Sequence, residues 1–326
     1  IKNALVENLT IITGGPGTGK TTIIKAIVAL YKRLNKLSYG ELVCDLALLA
    51  PTGRASKRMC ETTLYPASTI HRFLKWNKEN NTFGICESNK DKSKLIIVDE
   101  TSMIDINLFS SLLSGLTDNI KLILVGDYDQ LPSVGPGLVL KDLIESEKIK
   151  TIKLEYLYRQ NSDSYINLLA KEIKENNITE NSFKNYIDYR FLKCPANCIR
   201  TSIKNICNDL IKHGYDYKRV QIMAPMYKGE NGIDNLNIIL QNIFNPKDEN
   251  KKEVTLSNIT YRVNDKILEL VNMPEENVFN GDIGILCDII HPPFSESGKT
   301  EIYVDYDGNI VKYLPKDLIK IKHGFA

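Results

Sequence analysis

Short, continuous apolar runs stand out in the first half of the chain, at residues 9–13, 46–50, 95–98 and 120–126. Apolar runs of this length without polar alternation are typical of strands that helices cover on both faces of a parallel sheet. Between them lie stretches such as residues 22–30, where apolar positions recur at helical spacing. The pattern therefore predicts an α/β domain over residues 1–150.

The same kind of pattern continues, more weakly, beyond residue 150. Apolar positions recur at helical spacing in residues 163–174, 199–213 and 232–243, and residues 220–224 form one more apolar run. Helices together with a short buried strand indicate another α/β element. We expect a second α/β domain over residues 151–257.

From residue 258 onward the chain alternates between apolar and polar positions in short segments, at 261–270, 281–290, 300–306 and 310–314. Asp307-Gly308 lies between the last two segments, and an Asp-Gly pair favours a tight hairpin turn. Several short strands at regular spacing predict a small all-β module over residues 258–322.

Residues 75–94 interrupt the first domain with a polar segment rich in Asn and Lys. It contains the only tryptophan of the chain, Trp76, and Asn80-Asn81 suits the tip of a short hairpin. We expect a small insertion here, either as a hairpin or as a surface loop.

Composition limits the possible classes of protein. The chain has 326 residues, 43% of them hydrophobic and 25% charged, with a net charge of +2. These values are ordinary for a water-soluble protein of two or three domains, and no apolar run has the length of a membrane span. A charge this small means that nucleic acid would have to be bound by a local basic patch. The seven scattered cysteines favour reduced thiols and a cytoplasmic location.

The most informative stretch is the glycine-rich segment Gly14-Gly15-Pro16-Gly17-Thr18-Gly19-Lys20-Thr21. It lies between a predicted strand and a predicted helix, which is the context that a phosphate-binding loop requires. Backbone N–H groups and the helix N-terminus would bind phosphates, Lys20 would add a charge, and Thr21 suits Mg²⁺. A chance Gly-rich turn is the alternative. The candidate residues for binding ATP are Gly15, Gly17, Thr18, Gly19, Lys20, Thr21 and Thr22.

A pair of acidic residues follows the apolar run at 95–98. Asp99 suits the coordination shell of Mg²⁺, and Glu100 suits a base that orients the attacking water. Acidic pairs after apolar runs also occur by chance. Their position about 80 residues after a phosphate loop favours a catalytic role.

Two other loops follow predicted strands. After residues 46–50, Thr52 precedes a helix start with cations at 54, 57 and 58. Contact with a nucleic-acid backbone through Thr52 and Arg54, and a solvated basic helix start, are both compatible with this pattern. After residues 120–126, Gln130 lies in a loop of Pro and Gly and could contact the γ-phosphate, although an ordinary turn is the alternative.

These motifs occur in a recognisable order. The phosphate loop is followed by Ala50-Pro51-Thr52-Gly53-Arg54-Ala55, Thr69-Ile70-His71-Arg72, Asp99-Glu100-Thr101-Ser102-Met103, and Gly126-Asp127-Tyr128-Asp129-Gln130-Leu131-Pro132-Ser133-Val134-Gly135. The set resembles the superfamily 1 DNA helicases of the RecD type, which include the alpha subunit of exodeoxyribonuclease V. The resemblance implies two RecA-like P-loop NTPase domains, the second incomplete, with a small SH3-like β-barrel insertion.

The resemblance also implies roles for single residues. Arg159, which from its surroundings alone could be an ordinary surface residue, would be an arginine finger that reaches the γ-phosphate. Taken alone, His71 could equally be a surface or packing residue. The resemblance implies ATP and Mg²⁺ as cofactors, and single-stranded DNA as a partner, contacted by Thr52, Arg54, Thr69, His71 and Arg72.

The expected function is an ATP-dependent DNA helicase or translocase of recombination and repair. By resemblance it would move 5′ to 3′ and could assemble with other subunits of a helicase–nuclease complex. The family's last motifs do not occur in the sequence, so we expect a fragment that binds ATP but unwinds DNA poorly. A non-motor P-loop ATPase and a nucleic-acid-binding module without turnover are the alternatives.

Overall fold

The computed structural model of the protein describes residues 1–77, 79–154, 164–256 and 258–326. The chain divides into two compact units, Ile1–Phe191 and Leu192–Ala326. None of the helices in the described ranges is long and apolar enough to span a membrane.

The first unit contains a parallel sheet with helices on both faces. Its helices are α1 Lys2–Val6, α2 Lys20–Leu34, α3 Tyr39–Asp45, α4 Gly53–Thr63, α5 Ile70–Phe73, α6 Ile106–Ser114, α7 Val139–Glu145 and α8 Tyr165–Lys174. Its strands are β1 Leu9–Gly14, β2 Leu46–Ala50, β3 Ala67–Thr69, β4 Trp76–Asn77, β5 Thr82–Phe83, β6 Leu95–Val98, β7 Lys121–Gly126 and β8 Lys150–Leu154.

Six of these strands form one sheet in the order β3-β2-β6-β7-β1-β8, and every pairing in it is parallel. Successive residues of a central strand therefore face opposite layers of helices. Ile11 packs in the core that includes α5, α6 and α7, whereas Ile12 packs in the core that includes α2, α3 and α4. Because all strands run the same way, their carboxyl ends meet at one edge, where ligands bind in such sheets.

Strand β8 lies across the expected boundary at residues 150 and 151. Residues 150–154 pair in parallel with β1, with Ile152 opposite Ile12, so they belong to the first sheet. Their mixture of polar and apolar residues reflects a position at the edge of the sheet, where the strand is only partly covered. The division into three domains at 150/151 and 257/258 stays a prediction.

The insertion at 75–94 contains a hairpin. Strands β4 and β5 pair antiparallel, with Trp76 opposite Phe83, and Asn81 has a positive φ of 52° between them. The predicted hairpin is therefore confirmed.

The second unit contains helices and antiparallel strands. Its helices are α9 Ile199–Lys212 and α10 Ile233–Phe244, and its strands are β9 Glu253–Leu256, β10 Ile259–Arg262, β11 Lys266–Glu269, β12 Ile283–Ile290, β13 Glu301–Tyr306, β14 Asn309–Tyr313 and β15 Ile321–His323. Five strands form a sheet in the order β14-β13-β12-β11-β15, and β9 pairs with β10.

Short 3₁₀ helices occur in both units. In the first unit they lie at Thr101–Met103 and Glu180–Phe183, and in the second at Ala196–Cys198, Tyr217–Arg219, Pro274–Glu276 and Pro315–Lys320.

The predicted strand at 220–224 does not form. These residues have no assigned secondary structure, and Ile222 N–H makes a single long bond of 3.4 Å to the carbonyl of Phe325. An apolar run becomes a strand only where a neighbouring strand can pair with it along its length. Within the described residues of this region, α9 and α10 pack around Cys207, Leu236, Leu240 and Phe325, and a second α/β domain stays a prediction.

A buried carboxylate joins α10 to the strands of the second unit. Asp265 accepts hydrogen bonds from Asn245 Nδ2 at 2.8 Å, Gln241 Nε2 at 2.7 Å and the backbone N–H of Arg262 at 2.7 Å. His323 Nε2 lies 3.2 Å from the same carboxylate. All of these side chains are buried, so the network is shielded from water and each bond in it is strengthened.

Candidate active site

The glycine-rich loop connects β1 to the N-terminus of α2. Gly17 and Gly19 have φ values of 79° and 86°, a region that side chains with a Cβ rarely adopt. A Cβ on Gly14 would lie 2.7 Å from Thr18 Oγ1 and 2.8 Å from the Cβ of Leu154, so only glycine fits there. The loop therefore leads tightly into a 15-residue helix, whose N-terminus attracts anions.

Lys20 is held over this loop. Its Nζ donates to the carbonyl oxygens of Gly14 at 2.7 Å and Gly15 at 3.0 Å. An ammonium group has three donors, so one remains for a phosphate oxygen. The loop itself is braced by Thr18 Oγ1, which donates to the Gly15 carbonyl at 2.9 Å.

A cavity of about 530 Å³ opens beside the loop. It brings together three separate motifs, because Lys20, Asp99, Glu100 and Gln130 all line it. Gly15 does not line the cavity, although its carbonyl binds both Lys20 and Thr18. The other lining residues are Pro16, Gly17, Thr18, Gly19, Thr21, Thr22, Ile23, Ala55, Arg58 and Met59.

Asp99 and Glu100 come directly after β6. Asp99 is 9% exposed, and its Oδ1 accepts the backbone N–H of Glu100 at 2.9 Å. Burial raises the pKa of Asp99 to about 6, while the charges of Lys20 and Arg58 act in the opposite direction. A carboxyl group that is buried beside another acid favours a compensating cation.

Glu100 has an unusual backbone and an unpaired oxygen. Its φ of 51° and ψ of 40° lie in the left-handed region, which is strained for a residue with a side chain. Among the described residues, Glu100 Oε2 is a buried side-chain atom without a hydrogen-bond partner. Unsatisfied buried polar atoms are rare in folded proteins, so this oxygen, on a residue that lines the cavity, fits a site that receives a polar ligand.

Gln130 reaches the cavity from the turn that follows β7. Asp127 shapes this turn, because its carbonyl accepts the N–H of Gln130 at 3.2 Å and its Oδ1 accepts the N–H of Asp129 at 3.2 Å. Asp127 is buried, so the turn is anchored to the end of β7. Arg159, the predicted arginine finger, lies outside the described residues, and its approach to the cavity stays a prediction.

The residues predicted to contact DNA follow the neighbouring strands β2 and β3. Thr52 and Thr69 cap α4 and α5, since their hydroxyl oxygens accept N–H groups of Ala55 and Arg72, each at 3.3 Å. Arg54, His71 and Arg72 are exposed. The His71 ring also lies 6.1 Å from Trp76 and 6.0 Å from Phe83 of the hairpin, a contact that the sequence did not indicate. Contact with DNA stays a prediction.

Arg58 and Met59 line the cavity although no motif in the sequence indicates them. From the sequence, the cations at 54, 57 and 58 form a single basic helix start. Arg58 follows Ala55 by three residues and Met59 follows it by four, so all three lie on one face of α4. That face lines the cavity. The spacing was visible in the sequence, but nothing in it indicated which face meets the phosphate loop.

A six-stranded parallel sheet with a phosphate loop after β1 and acidic residues after β6 defines the class of P-loop NTPases. Residues 1–136 match the family described as AAA domain, and residues 236–306 match the ATP-dependent RecD-like DNA helicase SH3 domain. The antiparallel strands of the second unit thus include the predicted SH3-like module.

Curated relatives support the same assignment. The chain is 31% identical over 332 residues to the ATP-dependent RecD2 DNA helicase of Deinococcus radiodurans, covering 98% of this chain and 41% of that protein. It is 26% identical over 389 residues to the RecBCD enzyme subunit RecD of Buchnera aphidicola, covering 97% of this chain and 62% of that protein. The chain belongs to the RecD-type superfamily 1 helicases, and it spans about half the length of these relatives.

Solved structures share the fold. The Pif1 helicase from Candida albicans superposes with a TM-score of 0.52 at 18% identity, covering 96% of this chain and 76% of that one. The Pif1 helicase from Bacteroides in complex with ADP-AlF3 and ssDNA gives a TM-score of 0.50 at 17% identity, covering 100% and 80%. At this identity the likeness concerns the fold alone.

Proposed function

We propose that this chain carries the ATP-hydrolysing motor of a DNA helicase that moves along single-stranded DNA. The observation that carries the proposal is the single cavity lined by Lys20, Glu100 and Gln130, which come from three distant motifs. The relative described as an ATP-dependent RecD2 DNA helicase supports ATP as the substrate and DNA as the nucleic acid.

The residues of the cavity fit the chemistry of phosphoryl transfer to water. Lys20 and the loop N–H groups bind the β- and γ-phosphates, and Glu100 orients the attacking water as general base. Thr21 and Asp99 would hold Mg²⁺, and the raised pKa of Asp99 and the unpaired oxygen of Glu100 fit a site for a cation and a polar substrate. Mg²⁺ would supply charge that offsets the negative phosphates. Gln130 would contact the γ-phosphate, and Arg159 is proposed to do so by resemblance to the family.

Single-stranded DNA is contacted through the ends of β2 and β3. Thr52 and Thr69 place their hydroxyls at helix starts, and Arg54, His71 and Arg72 offer exposed cationic or polar groups to the DNA backbone. Movement is 5′ to 3′, by resemblance to the family. Association with other subunits of a helicase–nuclease complex is supported by the relatives described as RecBCD enzyme subunit RecD.

The decisive measurement is steady-state ATP hydrolysis by the full-length protein, with and without an unstructured single-stranded DNA. We expect the DNA to stimulate turnover. Lys20→Ala should abolish turnover, while Lys25→Ala, which removes an exposed cation from the same helix, should not. Turnover that ignores DNA would instead indicate a non-motor ATPase, and DNA binding without turnover would indicate a binding module.

A further inference from the structure

Lys174, the last residue of α8, contacts the turn that presents Gln130. Its Nζ lies 2.5 Å from Asp129 Oδ2 and 5.3 Å from the centre of the Tyr128 ring. Both partners immediately precede Gln130 in the chain. The Asp129 side chain is 26% exposed, so the ion pair is partly withdrawn from water and less screened than a fully exposed pair.

The turn between β7 and α7 therefore lies between the cavity and the end of α8. On one side Gln130 lines the cavity, and on the other Lys174 contacts Asp129 and Tyr128. The hydrogen bond to Asp129 raises the pKa of Lys174, and the negative charges of Asp129 and Asp127 act in the same direction, so the ammonium stays charged. A displacement of Lys174 would pull on the residue next to Gln130.

Helix α8 is held at its start by the segment that follows it in the chain. At its start, Asp188 accepts the N–H of Tyr165 at 3.2 Å and the hydroxyl of Ser164 at 2.6 Å. The Tyr165 ring stacks on Tyr186 with centroids 3.7 Å apart, and Tyr165 is 4% exposed. These contacts fix the first turn of the helix whose last residue is Lys174.

We propose that Lys174 is a positioning residue for Gln130, which fixes the turn so that the amide points toward the γ-phosphate. This inference rests on the proposed ATP hydrolysis. A shift of α8 would change the position of Gln130 without any change in the phosphate loop.

The test is Lys174→Met in the full-length protein, with ATP turnover measured over a range of ATP concentrations. We expect kcat to fall about five- to twentyfold, as is typical when one contact of a coupled pair is removed, with KM changed by less than about twofold. Lys174→Arg should retain most of the activity. The matched control is Lys171→Met, one turn earlier on α8, where the lysine pairs only loosely with Glu175 at 3.8 Å.

Asp129→Asn provides the second half of the test. If the pair acts as proposed, this variant loses as much kcat as Lys174→Met, and the double variant loses no more than either. The exchange Lys174→Asp with Asp129→Lys should recover part of the turnover, which also shows that the variants fold. Equal activity of Lys174→Met and Lys171→Met, or losses that simply add, would overturn the inference. An inactive wild-type protein would instead remove the proposed function on which it rests.

Discussion

The acids at the cavity of the first unit and the buried acids of the second unit differ in how their oxygens are paired. In the first unit, Glu100 has a buried oxygen without a hydrogen-bond partner. In the second, Asp265 receives side-chain and backbone hydrogen bonds, and Glu269 accepts bonds from two tyrosine hydroxyls. The difference indicates that unsatisfied acids belong to a site built for a ligand, whereas satisfied acids hold a scaffold together.

Strand direction explains where each kind of acid occurs. In the parallel sheet, β1, β6 and β7 all end at the same edge, so polar residues after these strands collect around one cavity. In the antiparallel sheet, neighbouring strands end at opposite edges, and buried polar groups find partners across adjacent strands and on α10. The parallel arrangement therefore gathers the candidate catalytic residues at one edge, whereas the antiparallel arrangement spreads stabilising hydrogen bonds over several strands and α10.

The largest expected effect comes from Glu100→Gln. Removing the general base should lower ATP turnover about a hundred- to ten-thousandfold. The thermal unfolding temperature should stay the same or rise, because a buried charge without a partner is lost. The control is Glu61→Gln, which changes an exposed acid on α4. Retention of more than about a tenth of the turnover would show that Glu100 is not the base.

The opposite outcome is expected for Asp265→Ala. Removing this carboxylate takes away one of two acceptors from each of the Asn245 and Gln241 amides and the side-chain acceptor of the Arg262 N–H, inside the protein, which should destabilise the second unit by about 3–5 kcal/mol. Denaturant titration followed by far-ultraviolet circular dichroism would report this loss. The fluorescence of Trp76, the single tryptophan, would report the first unit separately.

The exposed acid Glu249 provides the control for that experiment, since Glu249→Ala should leave the unfolding curve unchanged. A loss of less than about 1 kcal/mol for Asp265→Ala would mean that the network contributes as little as a surface ion pair. In that case the contrast between the two units would not rest on paired acids.

Much of this contrast could be predicted from the sequence where the signal is local. The phosphate loop and the acids after residues 95–98 follow from apolar runs that end in particular residues, and strand ends need no knowledge of distant partners. The pairing of strands that are distant in sequence could not be predicted. That residues 150–154 would join β1, and that residues 220–224 would form no strand, depended on neighbours that the pattern does not identify.

The same limit applies to the candidate site. Lys20, Glu100 and Gln130 were placed together from motif order, and the structure brings them to one cavity. Arg58 could not be assigned, because helical spacing defines a face of α4 but not what that face meets. Lys174 and Asp129 lie 45 positions apart in the chain, and no pattern in the sequence indicates their contact.

Arg58 offers an intermediate test of the cavity. Arg58→Ala should raise the KM for ATP about three- to tenfold, because it removes a partly solvated cation that faces the phosphates and Asp99. Lys57→Ala, which changes the neighbouring cation outside the lining of the cavity, should leave KM unchanged. A Lys57 variant with the larger effect, or one that alters only DNA stimulation, would assign the basic start of α4 to nucleic acid instead.

The smallest effect is expected from Glu269→Gln, as a dependence of stability on pH. Burial raises the pKa of Glu269, which accepts bonds from Tyr313 at 2.5 Å and Tyr306 at 3.2 Å and faces the charge of Lys320. A carboxyl group whose pKa is raised on folding stabilises the fold below its ordinary pKa, and this contribution is lost as pH rises through the folded value. Wild type should therefore lose stability relative to Glu269→Gln as the pH rises above about 4.5. Denaturant midpoints at several pH values would measure it, with the exposed Glu275→Gln as control. A difference that stays constant with pH would mean that the two tyrosine hydroxyls fully offset the burial of this carboxylate.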